Sequence, residues 1–414
     1  MKRVLAAALA ALLFLTACGC TALFDKDVYL EEAYEATSES VETGDSAEAI
    51  SNYAALRRAI LRLVSERAES AELQFQNYDG TISRDISTAC WEVKSSTALG
   101  AFAVDYISYD LSRIVSYYQA EIHITYKRSE YQMSALETVE TLSAMRDRLA
   151  QALGAGETYL VLSLTAASLT GDTVRSGVER AYYDDPLVCP VLPTAEASLY
   201  PESGMSRIVE VTLDYGLDSA SLAARREELG AALEALMAAV AEAAPIDYDD
   251  EQPVPDAPEE ESSPEPADES ARTAALLKAL CAEIAENCAW DETAGATAWD
   301  ALTQGAAGSE GMAMALKAGC KALGVDCDIV FGRLNGENHM WNVVTVDGGA
   351  YHVDVSRWAE GEDAVFLVGD EELWGLYWWD TSEVPACPVR YGEQAEPSGE
   401  PASAEAETEA DLEN

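Results

Sequence analysis

Gly305-Ala306-Ala307-Gly308-Ser309-Glu310-Gly311-Met312-Ala313-Met314-Ala315-Leu316 is the stretch that decides how this chain folds. A loop of small residues runs into an apolar segment that continues to Leu323 and is stopped by Gly324-Val325. Small and polar residues open helices, and a glycine just past the last turn closes them, so the pattern predicts a helix from Ser309 to Leu323. Working outward, Ala271 to Cys288 is a second helix, with Leu276, Leu280 and Ile284 on a face. Ala298-Trp299-Asp300-Ala301-Leu302 is a short helical piece. Downstream, Asp328 to Arg333, His339 to Val346 and Ala350 to Val355 are strand-like. Helices followed by consecutive strands make residues 271–391 an α+β domain.

Several pairs and triplets stand in fixed order along this domain. They are Trp290-Asp291, Ala298 to Leu302, Gly305 to Ala313, Leu323-Gly324-Val325, His339-Met340-Trp341-Asn342, and Val353-Asp354-Val355-Ser356 with Trp358. Each is weak alone. Together they resemble the bacterial transglutaminase-like family, which shares the papain-type fold, over about 100 of the 414 residues. The resemblance implies a helix packed on an antiparallel sheet and a Cys-His-Asp triad. In such a triad the helix dipole and a neighbouring imidazolium stabilise a thiolate, the His carries the proton, and the Asp fixes its tautomer. Carried over by position, His339 is the base and Asp354 the orienter. Trp341, Asn342 and Trp358 line the cleft. Strand alternation puts His339 and Trp341 on one face.

The nucleophile position holds Ser309 instead of Cys, and Met312 replaces the usual Tyr. A thiol with a pKa of about 8.5 can be poised as thiolate beside an imidazolium; a hydroxyl cannot, and must lose its proton during attack. Ser is also a favoured helix N-cap, which accounts for Ser309 without chemistry. No cysteine substitutes for the missing thiol, because Cys320 lies about 16 Å further along the same helix and Cys327 past its end. Two readings follow. In the favoured one the domain is catalytically inactive and binds a peptide or cell-envelope component. In the other it is an acyl-transfer or amide-hydrolysing enzyme using Ser309, His339 and Asp354.

The N-terminus reads as an address. Lys2 and Arg3 precede an apolar run from Val4 to Leu15, which is too short to span a bilayer, and Leu15-Thr16-Ala17-Cys18-Gly19 follows. That stretch resembles the bacterial lipobox. It implies a signal peptide over residues 1–17, lipidation of Cys18, and anchorage on the extracytoplasmic face of a bacterial membrane. Residues 18–48 are a polar tether. Residues 49–245 form a separate α+β region, with helices over Ala49 to Arg67 and Ser134 to Leu153. A strand–helix unit at Ile122 to Tyr126 recurs at Val209 to Leu213, and the echo suggests a duplicated α+β unit. Residues 246–270 carry 11 acidic residues, five prolines and no basic residue, and read as a linker holding two folded parts apart. Residues 392–414, with eight acidic residues, repeat that chemistry as a disordered tail.

The whole chain has a net charge of −48 from 26 basic and 74 acidic side chains. A field of that sign repels nucleic acid and anionic lipid, so the membrane is reached through the lipid on Cys18 and no nucleic-acid partner is expected. With three His and no CxxC pair, neither a metal site nor a cofactor is expected. Cys281 and Cys288 stand about 10 Å apart along one helix and cannot pair, whereas a disulfide between Cys320 and Cys327 is feasible. His123 and His352 read as sheet residues. Trp374, Tyr377, Trp378 and Trp379 read as core.

Overall fold

The computed structural model describes residues 49–166, 168–244, 266–358 and 365–393. The signal segment 1–17, the tether with Cys18, residues 246–265 of the acidic stretch and residues 394–414 of the tail lie outside the described residues.

The chain begins with α1 (Tyr53–Ser65), β1 (Ser70–Phe75), α2 (Ile82–Ser96), α3 (Ala98–Ala103), β2 (Val104–Ile114) and β3 (Tyr117–Tyr126). The Asn52 side chain caps α1 by accepting from the Ala55 N–H, and Leu56, Ile60, Leu63 and Val64 are buried at helical spacing. These helices cover an antiparallel sheet in the order β1-β3-β2. Next come α4 (Glu130–Ser134), β4 (Leu136–Thr138), α5 (Leu142–Ala155), β5 (Tyr159–Thr165), α6 (Gly171–Asp184), β6 (Thr194–Tyr200), β7 (Ser206–Asp214) and α7 (Ser219–Ala243). Their sheet has the order β4-β5-β7-β6, with β4 parallel to β5.

Two expectations are corrected here. The helix expected over Ser134 to Leu153 is two helices with a strand between them. A capping box at Ser129 starts α4, the β-branched Thr138, Val139 and Thr141 favour extended chain, and the Thr141 side chain starts α5. The duplication does not extend to topology. β3 is the centre of an all-antiparallel three-stranded sheet, while β7 lies inside a four-stranded sheet with a parallel edge.

The C-terminal part comprises α8 (Pro266–Asn287), β8 (Ala289–Gly295), a helical turn (Asp300–Gln304), β9 (Ala306–Ala307), α9 (Ser309–Leu323), β10 (Cys327–Leu334), β11 (Glu337–Val346), β12 (Gly349–Asp354), α10 (Val355–Trp358), β13 (Val365–Val368), α11 (Asp370–Leu373) and β14 (Tyr377–Trp379). Strands β10 to β14 form an antiparallel sheet in the order β13-β12-β11-β10-β14. Met312, Ala315, Leu316 and Cys320 of α9 pack against Val344, Val346 and Val353 of the sheet and against α8. Gly319 permits the close approach of α8, since a Cβ there would meet Leu280 at 2.5 Å. α8 starts inside the stretch expected to be linker, with a proline at its first position, where its missing N–H costs nothing.

The two parts are not held apart. Leu236 and Val240 at the end of α7 share a core with Leu277, Leu280, Cys281 and Ile284 of α8. Ala313, Met314 and Ile329 join the core of the N-terminal part. Trp299 donates its indole N–H to Glu228 at 2.8 Å and carries the Arg225 guanidinium over its ring, and Lys321 pairs with Asp185 at 2.6 Å. The acidic segment therefore connects parts that pack through the apolar face of α7. Cys320 and Cys327 are both free thiols, so the feasible disulfide is not formed.

Leu236→Ala tests this packing. Seven of the eight tryptophans lie between residues 290 and 379, so intrinsic fluorescence during urea unfolding reports the C-terminal part. The substitution lies in the N-terminal part yet is expected to cost that transition about 2 kcal/mol or more.

Candidate functional site

The site is assembled where α9 meets the face of β11 and β12. Gly308, extended at φ −69° and ψ 174°, is the N-cap of α9, and Ser309 is its first helical residue. The expected capping role of Ser309 is not observed, because Gly308 takes the N-cap position and Ser309 lies one residue inside the helix. Ser309 is 4% exposed, and its Oγ accepts from the Met340 N–H at 3.4 Å. Among the described residues, no hydrogen bond joins Ser309 Oγ to the His339 ring.

His339 stands near the start of β11 and Asp354 at the end of β12, with Asn342 opposite Val353 in the register. That pairing brings the two side chains together on one face. His339 Nε2 lies 2.7 Å from Asp354 Oδ2, with the residues 3% and 1% exposed. Tyr377 donates its hydroxyl to the same Oδ2 at 2.7 Å, and Ser356 donates N–H and hydroxyl to Oδ1 at 3.0 and 2.6 Å. Burial pushes the Asp354 carboxyl up, but the hydrogen bonds and charge of His339, with those of Ser356 and Tyr377, outweigh it and hold the group below its ordinary range. An ionised carboxylate only accepts, so His339 carries its proton on Nε2 and turns Nδ1 toward α9. Trp341 stacks beside the imidazole at 6.1 Å and 26°.

Nδ1 does not meet the serine. It faces Glu292 Oε1 at 3.8 Å. The same oxygen accepts the Trp290 indole N–H at 2.7 Å and the Ser309 backbone N–H at 3.2 Å. Glu292 belongs to an arch between two points where β8 touches β9, since Trp290 and Gly295 both pair with Ala307. Asp291 Oδ1 ties the arch by accepting from the N–H and hydroxyl of Thr293. On the far side of Ser309, Glu310 accepts the hydroxyl of Tyr183 from α6 at 2.8 Å, and burial raises its carboxyl above the ordinary range.

The remaining predicted residues are placed as follows. Trp341 is fully buried and donates its indole N–H to His352 Nδ1 at 3.0 Å. Asn342 is corrected from cleft lining to fastening: it is buried, and its Nδ2 reaches the Ala313 carbonyl and Cys327 Sγ. Trp358 is half-buried and packs edge-on against Phe366 at the margin of the core under α9. Of the aromatic group, Tyr377 and Trp379 are buried, while Trp374 and Trp378 are 66% and 65% exposed. Sequence reasoning missed Glu292 and the part played by Tyr377. Tyr377 lay within a stretch read only as core, and nothing marked Glu292 beyond its place beside Trp290-Asp291.

His352, Asp370 and Cys387 place one ligand atom each within 4.8 Å of one another, a spacing that suits a metal ion. The hydrogen bonds favour a different reading. The Trp341 indole can only donate, so His352 Nδ1 accepts and its proton sits on Nε2, 2.9 Å from Asp370 Oδ1. A metal on Nε2 would displace that proton. Burial also pushes the Cys387 thiol up to about 12, away from the thiolate a metal prefers. The group is a second His–Asp pair supporting Trp341 from behind.

Residues 263–355 match the transglutaminase-like superfamily, a span that includes Ser309, His339 and Asp354. These residues form a transglutaminase-like domain of papain-like fold. Three chains of solved structures are similar. One, a crystal structure of a TGase, is 13% identical over 74% of this chain and 79% of that chain, with a TM-score of 0.23. No curated protein matches.

Asp354→Ala removes the acceptor for His339, Ser356 and Tyr377 at once. Urea unfolding at pH 7 is expected to show a loss of about 3–5 kcal/mol. Because the native carboxyl is held low, its contribution is present above the unfolded value of about 3.9 and fades as pH falls through the native one. The difference between variant and native protein is therefore expected to narrow in acid.

Proposed function

Since residues 263–355 form a transglutaminase-like domain, we propose that the chain is a lipid-anchored protein of the bacterial cell envelope. Its transglutaminase-like site binds a peptide or cell-wall component without carrying out acyl transfer. The observation that carries this reading is the Ser309 contact set. A serine at this position needs a base in hydrogen-bond contact to remove its proton during attack. Here Ser309 Oγ is engaged by the Met340 N–H, and a carboxylate stands before His339 Nδ1. The buried His339–Asp354 pair serves this reading as structure, because it joins β11, β12 and β14 at one point.

The second reading is an acyl-transfer or amide-hydrolysing enzyme using Ser309, His339 and Asp354. The 2.7 Å contact between His339 and Asp354 favours it, since that contact sets the tautomer a general base requires.

Amide hydrolysis and amine incorporation by native protein, Ser309→Ala and Ser309→Cys separate the two. Native protein and Ser309→Ala are expected to be equally inert. Turnover by the native protein that vanishes in Ser309→Ala would overturn the binding reading.

Anchorage belongs to the proposal as well. Among the described residues, no helix is long and apolar enough to cross a membrane. A lipid on Cys18 supplies the attachment, and the acidic surface keeps the body off the anionic leaflet. In a bacterial host, Cys18→Ala is expected to lose incorporation of labelled fatty acid and to leave the membrane fraction.

A further inference from the structure

One oxygen of Glu292 is held by two N–H donors at the mouth of α9: the Trp290 indole at 2.7 Å and the Ser309 backbone at 3.2 Å. The third group facing it is His339 Nδ1 at 3.8 Å, on a ring that is almost wholly buried and makes no hydrogen bond through that nitrogen. The neighbouring Gly308 has no side chain to keep the carboxylate away, and a Cβ there would stand 3.1 Å from Glu292 Oε2. Two N–H donors, one of them the first amide of α9, thus converge on one anionic oxygen in a strongly acidic chain. Yet the occupant stands at the surface. Glu292 sits on the Asp291–Ala294 arch, Asp291, Glu292 and Thr293 are exposed, and the Glu292 side chain itself is 48% exposed. Ser309 and His339 are buried and the Trp290 indole is half-buried, while the Glu292 side chain reaches solvent.

We propose that these groups form a carboxylate-binding subsite, and that Glu292 is its internal occupant, displaced when a peptide ligand presents a carboxylate of its own. This rests on the binding reading above and deepens it by naming the ligand class. An entering carboxylate takes over both N–H donors and restores the charge that departs with Glu292. A neutral amide takes over the donors but does not restore the charge that departs with Glu292. The ligand is thereby selected for a free carboxylate, from a chain terminus or an acidic side chain.

The test uses the full chain, native and Glu292→Ala, titrated with N-acetyl-alanyl-alanine and with its carboxamide. Calorimetry gives the affinities, and the NMR signal of the Trp290 indole N–H, assigned with Trp290→Phe, reports the subsite. Glu292→Ala is expected to shift the indole signal, to bind the acid about tenfold tighter than native protein does, and to show no such gain for the amide. Saturation with the acid is expected to return the indole signal toward its native position. Glu292→Gln, which keeps the packing of the side chain, is expected to bind the acid more tightly than native protein even if the Ala variant folds poorly. Equal affinity of native and variant proteins for the acid, an equal gain for the amide, or an indole signal indifferent to Glu292 would each overturn the proposal. Ser309-dependent turnover of an amide substrate would instead overturn the binding reading, leaving the indole signal to judge Glu292 separately.

Discussion

The contact between His339 and Asp354 is the constraint around which the C-terminal domain is arranged. A carboxylate that is 1% exposed survives as an anion only if its lone pairs are met by donors. Here the donors come from three different places: His339 on β11, Ser356 on the turn after β12, and Tyr377 on β14. β14 lies against β10 at the far edge of the sheet, so satisfying one carboxylate fixes strands distant in sequence. The imidazole is fixed in turn, by Asp354 on one nitrogen and by the Trp341 ring beside it. Trp341 is itself held by His352 and Asp370. The two His–Asp pairs thus lie at either end of a single buried indole.

The N-terminal part belongs to this arrangement more closely than an acidic spacer suggests. The end of α7 completes the core beneath α9, and Tyr183 of α6 holds the Glu310 carboxylate beside Ser309 while its ring meets Phe331 of β10. Whatever enters between α9 and β11 therefore meets a wall contributed by residues far upstream in the chain.

Much of this was legible in the chain itself, and the parts that were not share a physical cause. The helix from Ser309 to Leu323 and the three strands after it follow from periodicity and from glycine at Gly324, because those signals are local. His339, Trp341 and Asp354 fall on one face because side-chain alternation is local too. What failed depended on partners far away in sequence. Asn342 reads as a cleft residue until α9 is seen to offer the Ala313 carbonyl. Tyr377 reads as core until its hydroxyl is seen on Asp354. The helix expected over Ser134 to Leu153 fails for a local reason, the β-branched Thr138, Val139 and Thr141. Glu292 could not be read at all, since an exposed acidic residue in a chain with 74 of them carries no signal until its side chain is seen turning inward.

Glu292 and Ser309 also bear on each other. A thiolate at the start of α9 would compete for the same positive end of the helix and the same imidazole, and two anions there would repel. With a neutral hydroxyl at Ser309, that electrostatic position is open, and Glu292 fills it. The Ser309 hydroxyl and the inward Glu292 carboxylate are therefore compatible as neighbours, as a thiolate and that carboxylate would not be. The first amide of α9 and the Trp290 indole together stabilise an anion, and in this chain that anion is the Glu292 carboxylate.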